Sequence, residues 1–389
     1  MHPSIFNDVI GPVMRGPSSS HCAAALRIGR LARDLMGADF QEVLVEFDRQ
    51  GSLPTTHESQ GSDMGLFGGL MGWDAADERL PGSAEALRET GVRIRIETVD
   101  VGDAHPNTYR LTLRRTPDVQ HTLIAISTGG GMIEVIDIDG FEVSLFGDYH
   151  ETLLTVIGDG PSLVQRLAAS VEVDEIRLHE HGGKKLVQVK AAEFLSETIL
   201  SELREVSPDL QVTRLAPVLP IASRQDTTVP FTTCEEMLRH DAGRNTPLWR
   251  LAVQYEMARG NLTESEVIAK MVEIVRILRR SIQQGVAGTH YEDRVLGHQS
   301  GKFSQLMETG RLLDGGALNR IVLYVSALME VKSSLGVIVA APTAGACAAL
   351  PGAVMGMADE LRSSEEDMAK ALLAGGLIGV FIATRWTFA

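Results

Sequence analysis

Cysteine is scarce in this sequence: Cys22, Cys234 and Cys347 are the only three in 389 residues. Three thiols cannot build a disulfide framework, and an odd number suits a reducing compartment, so a cytoplasmic setting is expected. Positive charge is in deficit as well. The 36 lysines and arginines face 51 aspartates and glutamates, giving a net charge of −15 and a pI near 5.2. That balance argues against nucleic acid or an anionic membrane surface as partner. Uninterrupted hydrophobic runs are missing too. The most apolar stretch, GVIVAAPTAGACAALPGAVMGMA, is broken by proline and glycine and reads as buried helices and loops rather than a membrane span. The opening MHPSIFNDVIGPVM has no basic segment leading into an apolar core, so no signal peptide is expected. Neither a paired-cysteine metal motif nor a dinucleotide-binding fingerprint occurs, and there is no internal repeat or low-complexity tract.

What remains is ordinary globular material, 44% hydrophobic and 22% charged, long enough for two or three domains. The expected class is α+β, in three zones. Residues 1–149 mix helices with strands. SHCAAALRIGRLARDLMG has apolar residues at helical spacing, while EVLVEFD, RIRIETVDV, TYRLTLRR and HTLIAIS alternate as strands do. Residues 150–217 read strand–helix–strand–strand–helix–strand, the order of a small ferredoxin-like module of the ACT ligand-sensing type. Residues 218–230, with several prolines and little periodicity, are the expected linker. From 231 to 389 the pattern is all-α, with apolar residues three and four apart in TPLWRLAVQYEMARG, TESEVIAKMVEIVRILRRSIQQG and GALNRIVLYVSALMEVKSSLG.

Several stretches could carry chemistry. In RGPSSSHC, Gly16 and Pro17 turn into a helix whose first turn is Ser18, Ser19 and Ser20. Free N–H groups, three hydroxyls and His21 there suit a carboxylate or phosphate, although one serine would serve as a plain N-cap. The polar loop GSLPTTHESQGSD offers His57, Gln60, Ser62 and Asp63, the last two of which could instead cap the next helix. His105 stands before Pro106 at a strand entrance, and Gly129–Gly131 separate two strands. LGHQSGKF reads as a solvated loop between helices, and the HEH and HGGKK segments as a surface hairpin. In APTAGACAAL, Cys347 is expected at a helix start, where exposed N–H groups would favour a thiolate; burial as an inert thiol is the alternative.

Taken together, IGPVMRGPSSSH, GSL, GSDMGLFGGLMG, HPNT, GGGMIEV and APTAGAC..LPG occur in the order of the iron–sulfur-dependent L-serine dehydratases (L-serine ammonia-lyases), which this chain resembles over nearly its whole length. The first zone is similar to that family's beta portion and the last to the start of its alpha portion, here fused through the ACT-like module. The resemblance implies deamination of L-serine to pyruvate and ammonia, a step of amino-acid degradation that feeds gluconeogenesis. It implies a [4Fe–4S] cluster held by three cysteines, whose open iron acts as a Lewis acid on substrate while a base removes the α-proton. Cys347 matches the first cluster cysteine. Substrate contacts fall to Ser18, Ser19, Ser20, His21, Gln60, Ser62, Asp63 and Thr343.

Two departures follow. Gln60 stands where the family has histidine and cannot serve as a base at neutral pH, so His57 or His105 is the expected base. The family's other two cluster cysteines lie in a segment beyond the equivalent of Ala389, so the chain is expected to be incomplete for cluster binding. A site from Cys22, Cys234 and Cys347 would need matched ligand distances. Dehydration of another small β-hydroxy amino acid or hydroxy acid, or serine binding without catalysis, are the competing readings. A homodimer is expected, because ACT-type modules pair through their sheets.

Overall fold

The computed structural model describes residues 2–224, 227–290 and 296–386. After a π-helical turn at Ile5–Val9 come β1 (Val13–Arg15), a second π-helical turn (Ser19–Ala23) and α1 (Ala24–Leu35). There follow β2 (Glu42–Asp48), α2 (Leu53–Thr56), α3 (Ser62–Leu70), α4 (Ser83–Glu89), β3 (Arg93–Val99), β4 (Thr108–Thr116), β5 (Val119–Gly129), β6 (Met132–Ile138) and β7 (Phe141–Leu145). Six of these strands form one sheet in the order β3-β2-β4-β5-β6-β7, antiparallel except for the β2–β3 pair. Alternation in β2 puts Val43, Val45 and Phe47 into the core beneath α1.

Glycine lets α3 lie directly on the backbone of the second π-helical turn and of α1. A Cβ at Gly65 would stand 2.0 Å from the carbonyl oxygen of Cys22, and one at Gly69 2.1 Å from that of Leu26. The GLFGGL stretch is thus a packing signal. All three glycines Gly129–Gly131 have positive φ and turn β5 into β6, as only glycine does without strain.

The next unit is β8 (His150–Val156), α5 (Gly160–Ser170), β9 (Glu175–His181), β10 (Lys184–Ala191), α6 (Glu197–Val206) and β11 (Gln211–Leu215). Its sheet is antiparallel in the order β11-β8-β10-β9, and Leu154, Val187, Val189, Leu163, Leu167, Leu200 and Leu203 close a separate core beneath the two helices. This β-α-β-β-α-β order is the expected one. The expected linker, in contrast, is strapped down. Val218 and Leu219 donate to the Gly147 carbonyl, and Ile221 exchanges both backbone bonds with the Asn7 side chain, at 2.8 and 3.0 Å. Gln225 and Asp226 of that stretch lie outside the described residues.

The remainder is helical: α7 (Cys234–Asp241), α8 (Leu248–Gly260), α9 (Glu264–Ala287), α10 (Ser300–Glu308), α11 (Ala317–Ser333), the short strand β12 (Val337–Val339), α12 (Ala349–Glu360) and α13 (Glu365–Ala383). No helix among the described residues is long and apolar enough to cross a membrane. LGHQSGKF is only half a loop, because Ser300 begins α10. Its buried hydroxyl donates to Glu330 at 2.7 Å, and Glu330 also accepts the Gln299 and Ser300 N–H groups.

The first residues of the chain belong to this helical core. Ile5, Phe6, Val9, Ile10 and Met14 pack among α8, α9 and α13. Buried Glu256 accepts the Ile5 N–H at 2.6 Å and the Ser4 hydroxyl at 3.0 Å, and Tyr255 donates to the Pro3 carbonyl. Burial pushes the Glu256 carboxyl up to about 7, against the pull of these bonds and of Arg259. Unfolded, the same group titrates near 4.3. Between those values the folded chain holds a proton that the unfolded chain has lost, so this group's contribution weakens as pH rises from about 4.5 to 7. Glu256→Gln keeps the shape and stays neutral. Its thermal midpoint, relative to wild type, is expected to rise steadily from pH 5 to pH 7.5; a constant difference would show that Glu256 is not protonated in the fold.

Candidate active site

Two distant motifs meet through an antiparallel pair. β1 aligns with β12 in the register Val13↔Val339, Met14↔Ile338 and Arg15↔Val337, extended by Gly11 N–H to Ala340 O at 2.9 Å and Ala340 N–H to Pro12 O at 3.0 Å. The strands deliver the GPSSSH turn and the PTAGAC loop side by side. Ala344 N–H donates to the Ser19 hydroxyl at 3.3 Å, across 325 residues of sequence.

Within the GPSSSH turn the hydroxyls serve the histidine. Ser18 begins the π-helical turn but makes no side-chain cap. His21 Nδ1 lies 2.9 Å from Ser18 Oγ and 3.3 Å from Ser20 Oγ, and Nε2 lies 3.1 Å from Thr56 Oγ1. Thr56 spends its own hydrogen on the Ser52 carbonyl at 2.7 Å, so it accepts from His21 Nε2–H, and Nδ1 accepts from the serines. Burial lowers the His21 pKa, which matches a neutral ring.

The loop after α2 carries the reactive-looking pair. His57 Nδ1 is 2.8 Å from both oxygens of Asp63, and its ring leans on Phe47 with centroids 5.3 Å apart. Its Nε2 has no hydrogen-bond partner among the described residues, and the ring lines a cleft. Burial holds the Asp63 carboxyl above its ordinary range, while the His57 bond pulls it down. An imidazole oriented by a carboxylate through one nitrogen, with the other free, is the arrangement of a general base. Ser62 neither faces the cleft nor caps α3. It is buried, and its hydroxyl meets Tyr109 OH at 2.9 Å. His105 Nδ1 accepts the Asn107 N–H at 3.2 Å and so holds a turn away from the cleft lining.

The cleft, 910 Å³, opens between the 54–64 loop and the end of α11. One wall presents His57, Glu58, Ser59 and Gln60; the other presents Met329, Lys332, Ser333 and Leu335. Thr343 caps the short turn Ala344–Ala346 through a 3.3 Å bond to Ala346 N–H. Cys347 follows that turn and precedes α12 by two residues. The expected depressed thiol does not result. Cys347 is fully buried, and burial pushes its thiol up to about 11, opposed by the Lys332 ammonium.

Comparison with known proteins bears on the family of the chain. The chain is 34% identical over 220 residues to the probable L-serine dehydratase beta chain of Bacillus subtilis, covering 98% of that protein and 55% of this one. The chain belongs to the L-serine dehydratase family. Residues 243–389 match the family model for the serine dehydratase alpha chain. The probable L-serine dehydratase alpha chain of Bacillus subtilis is 22% identical over 155 residues, 52% of its length and 40% of this chain. The L-serine dehydratase of Streptomyces coelicolor is 26% identical over 382 residues, 69% of its length and 94% of this chain.

A three-thiolate cluster, as the family resemblance implies, does not fit the donors present. Cys22 is buried beside Gly16 with its thiol pushed up to about 12, Cys234 is exposed at the start of α7, and Cys347 is buried in its loop. Among the described residues, no group of three or more His, Cys, Asp or Glu side chains could hold a metal ion. Sequence reasoning missed Lys332 and Glu58. Lys332 sits on an ordinary amphipathic helix and Glu58 in an ordinary polar loop, and only their placement across one cleft singles them out.

Proposed function

We propose that this chain dehydrates and deaminates L-serine, releasing pyruvate and ammonia. The observation that carries the reading is the His57–Asp63 pair on a cleft that Pro17 of the GPSSSH stretch also lines, that stretch being hydrogen-bonded to the PTAGAC loop. In this reading His57 Nε2 takes the α-proton, and Asp63 fixes the ring and stabilises the imidazolium that forms. The Cβ–O bond breaks as the imidazolium returns that proton to the departing hydroxyl, which leaves as water; the resulting 2-aminoacrylate tautomerises to the imine and one water hydrolyses it to pyruvate and ammonia. His57 replaces the family's usual histidine at Gln60 because Asp63 lies within reach of it. Toward a [4Fe–4S] cluster the described residues offer Cys347 as a single candidate ligand.

The reading extends to the architecture: a beta-type unit over 1–149, an ACT-type regulatory module over 150–217, a connector over 218–230 and an alpha-type unit over 231–389. It places the protein in the cytoplasm as a homodimer paired through the ACT-type sheet. Gln60 supports a second reading, in which the substrate is another small β-hydroxy amino acid or hydroxy acid. Anaerobic assay with supplied iron and sulfide, scoring pyruvate from L-serine against 2-oxobutyrate from L-threonine, separates the two. Serine is expected to react at least about tenfold faster, the scale of one discriminated methyl group. Equal rates would remove serine selectivity, and no product from either would leave serine binding without catalysis.

A further inference from the structure

The 910 Å³ cleft is far larger than a small amino acid, so its overall shape does not by itself hold one in place. Fixed charge can. Among the described residues lining the cleft, Lys332 is the only lysine or arginine and Glu58 the only carboxylate. They stand on different walls, Lys332 on the last turn of α11 and Glu58 in the loop between α2 and α3. Neither has a partner. No ion pair or side-chain hydrogen bond engages either group among the described residues, although most charged neighbours are paired: His57 with Asp63, and Glu330 with the start of α10.

We propose that Lys332 and Glu58 form a charge clamp for a zwitterionic α-amino acid, with Lys332 on the α-carboxylate and Glu58 on the α-ammonium. The clamp rests on the proposed reaction and adds its substrate recognition. A ligand so held has its Cα–H between the two walls, in the cleft that His57 lines. Gln60 and Ser59 on one side and Ser333 on the other remain for the substrate's hydroxyl. Lysine suits this role as a compact, movable charge with three donors, and neither group pays to break an existing bond.

Calorimetric titration of the 389-residue chain with three probes tests the clamp: L-serine, L-serinamide (no carboxylate) and L-glycerate (no ammonium). Wild type is expected to bind L-serine about tenfold or more tighter than either analogue, the usual size of one charge-assisted bond. Lys332→Met is expected to weaken L-serine and L-glycerate by a similar factor and leave L-serinamide unchanged, while Lys332→Arg retains much of the affinity. Glu58→Gln is expected to weaken L-serine and L-serinamide and leave L-glycerate unchanged. Equal weakening of all three probes, no weakening, or a wild type that binds serinamide as well as serine would overturn the clamp. So would absence of binding by every carboxylate-bearing probe. The expected pattern without pyruvate from L-serine would instead sink the proposed reaction and leave the clamp standing.

Discussion

His57→Ala is expected to cut the rate of α-proton removal from L-serine by roughly two to four orders of magnitude, the usual cost of losing a general base. Exchange of the serine α-proton into deuterated water, followed by NMR, reads this step directly, and pyruvate release reads the whole reaction. The expectation rests on geometry. The ring has Nδ1 held at 2.8 Å by both Asp63 oxygens, and a free Nε2 on the cleft. Asp63→Asn should lower kcat with KM nearly unchanged, and by less than His57→Ala, because it disturbs the orientation of the base without removing it. His105→Ala is the internal control. Its Nδ1 is engaged by Asn107 N–H in a turn off the cleft lining, so the rate should stay within about tenfold of wild type, well short of a lost base. A larger loss at His105 than at His57 would move the base to His105.

Gly69→Ala is expected to destabilise the fold by about 2–4 kcal/mol, the upper range for overpacking, because the clash is with backbone. The added Cβ would lie 2.1 Å from the Leu26 carbonyl oxygen and 2.9 Å from the Arg30 nitrogen, atoms that cannot turn aside as a side chain does. α1 and α3 would have to separate, and both carry the candidate site: α1 follows the GPSSSH turn, and α3 begins at Ser62 beside Asp63. A drop of several degrees in thermal midpoint should accompany lost activity. Gly82→Ala supplies the contrast. A Cβ there meets nothing within 4 Å and φ is −99°, so stability should hold or rise slightly through the stiffer unfolded chain. Equal midpoints for the two variants would show that the α1–α3 contact is not tight.

Which parts of this were legible beforehand follows from where the information lies. The alternation of EVLVEFD and the threefold and fourfold spacing of TESEVIAKMVEIVRILRR report burial along a single element, and both elements form as β2 and α9. Thr263 and Glu266 even close both halves of a capping box at the start of α9. The order of elements from β8 to β11 was legible for the same reason, since each neighbour in the chain pairs or packs locally.

What the tertiary structure decided is non-local. The β1–β12 pair brings Ser19 to Ala344 across 325 residues, and no periodic pattern encodes the register of so distant a pairing. The first residues of the chain read as part of the mixed zone, yet Ile5 and Ile10 sit in the helical core, where Glu256 of α8 accepts the Ile5 N–H and Tyr255 donates to the Pro3 carbonyl. Ser62 looked like a ligand or a cap and became the partner of Tyr109. Cys347 shows the principle most directly. A local reading favours a thiolate, through the N–H groups at a helix start, but complete burial outweighs that field and holds the thiol protonated, because desolvation depends on everything packed around the sulfur.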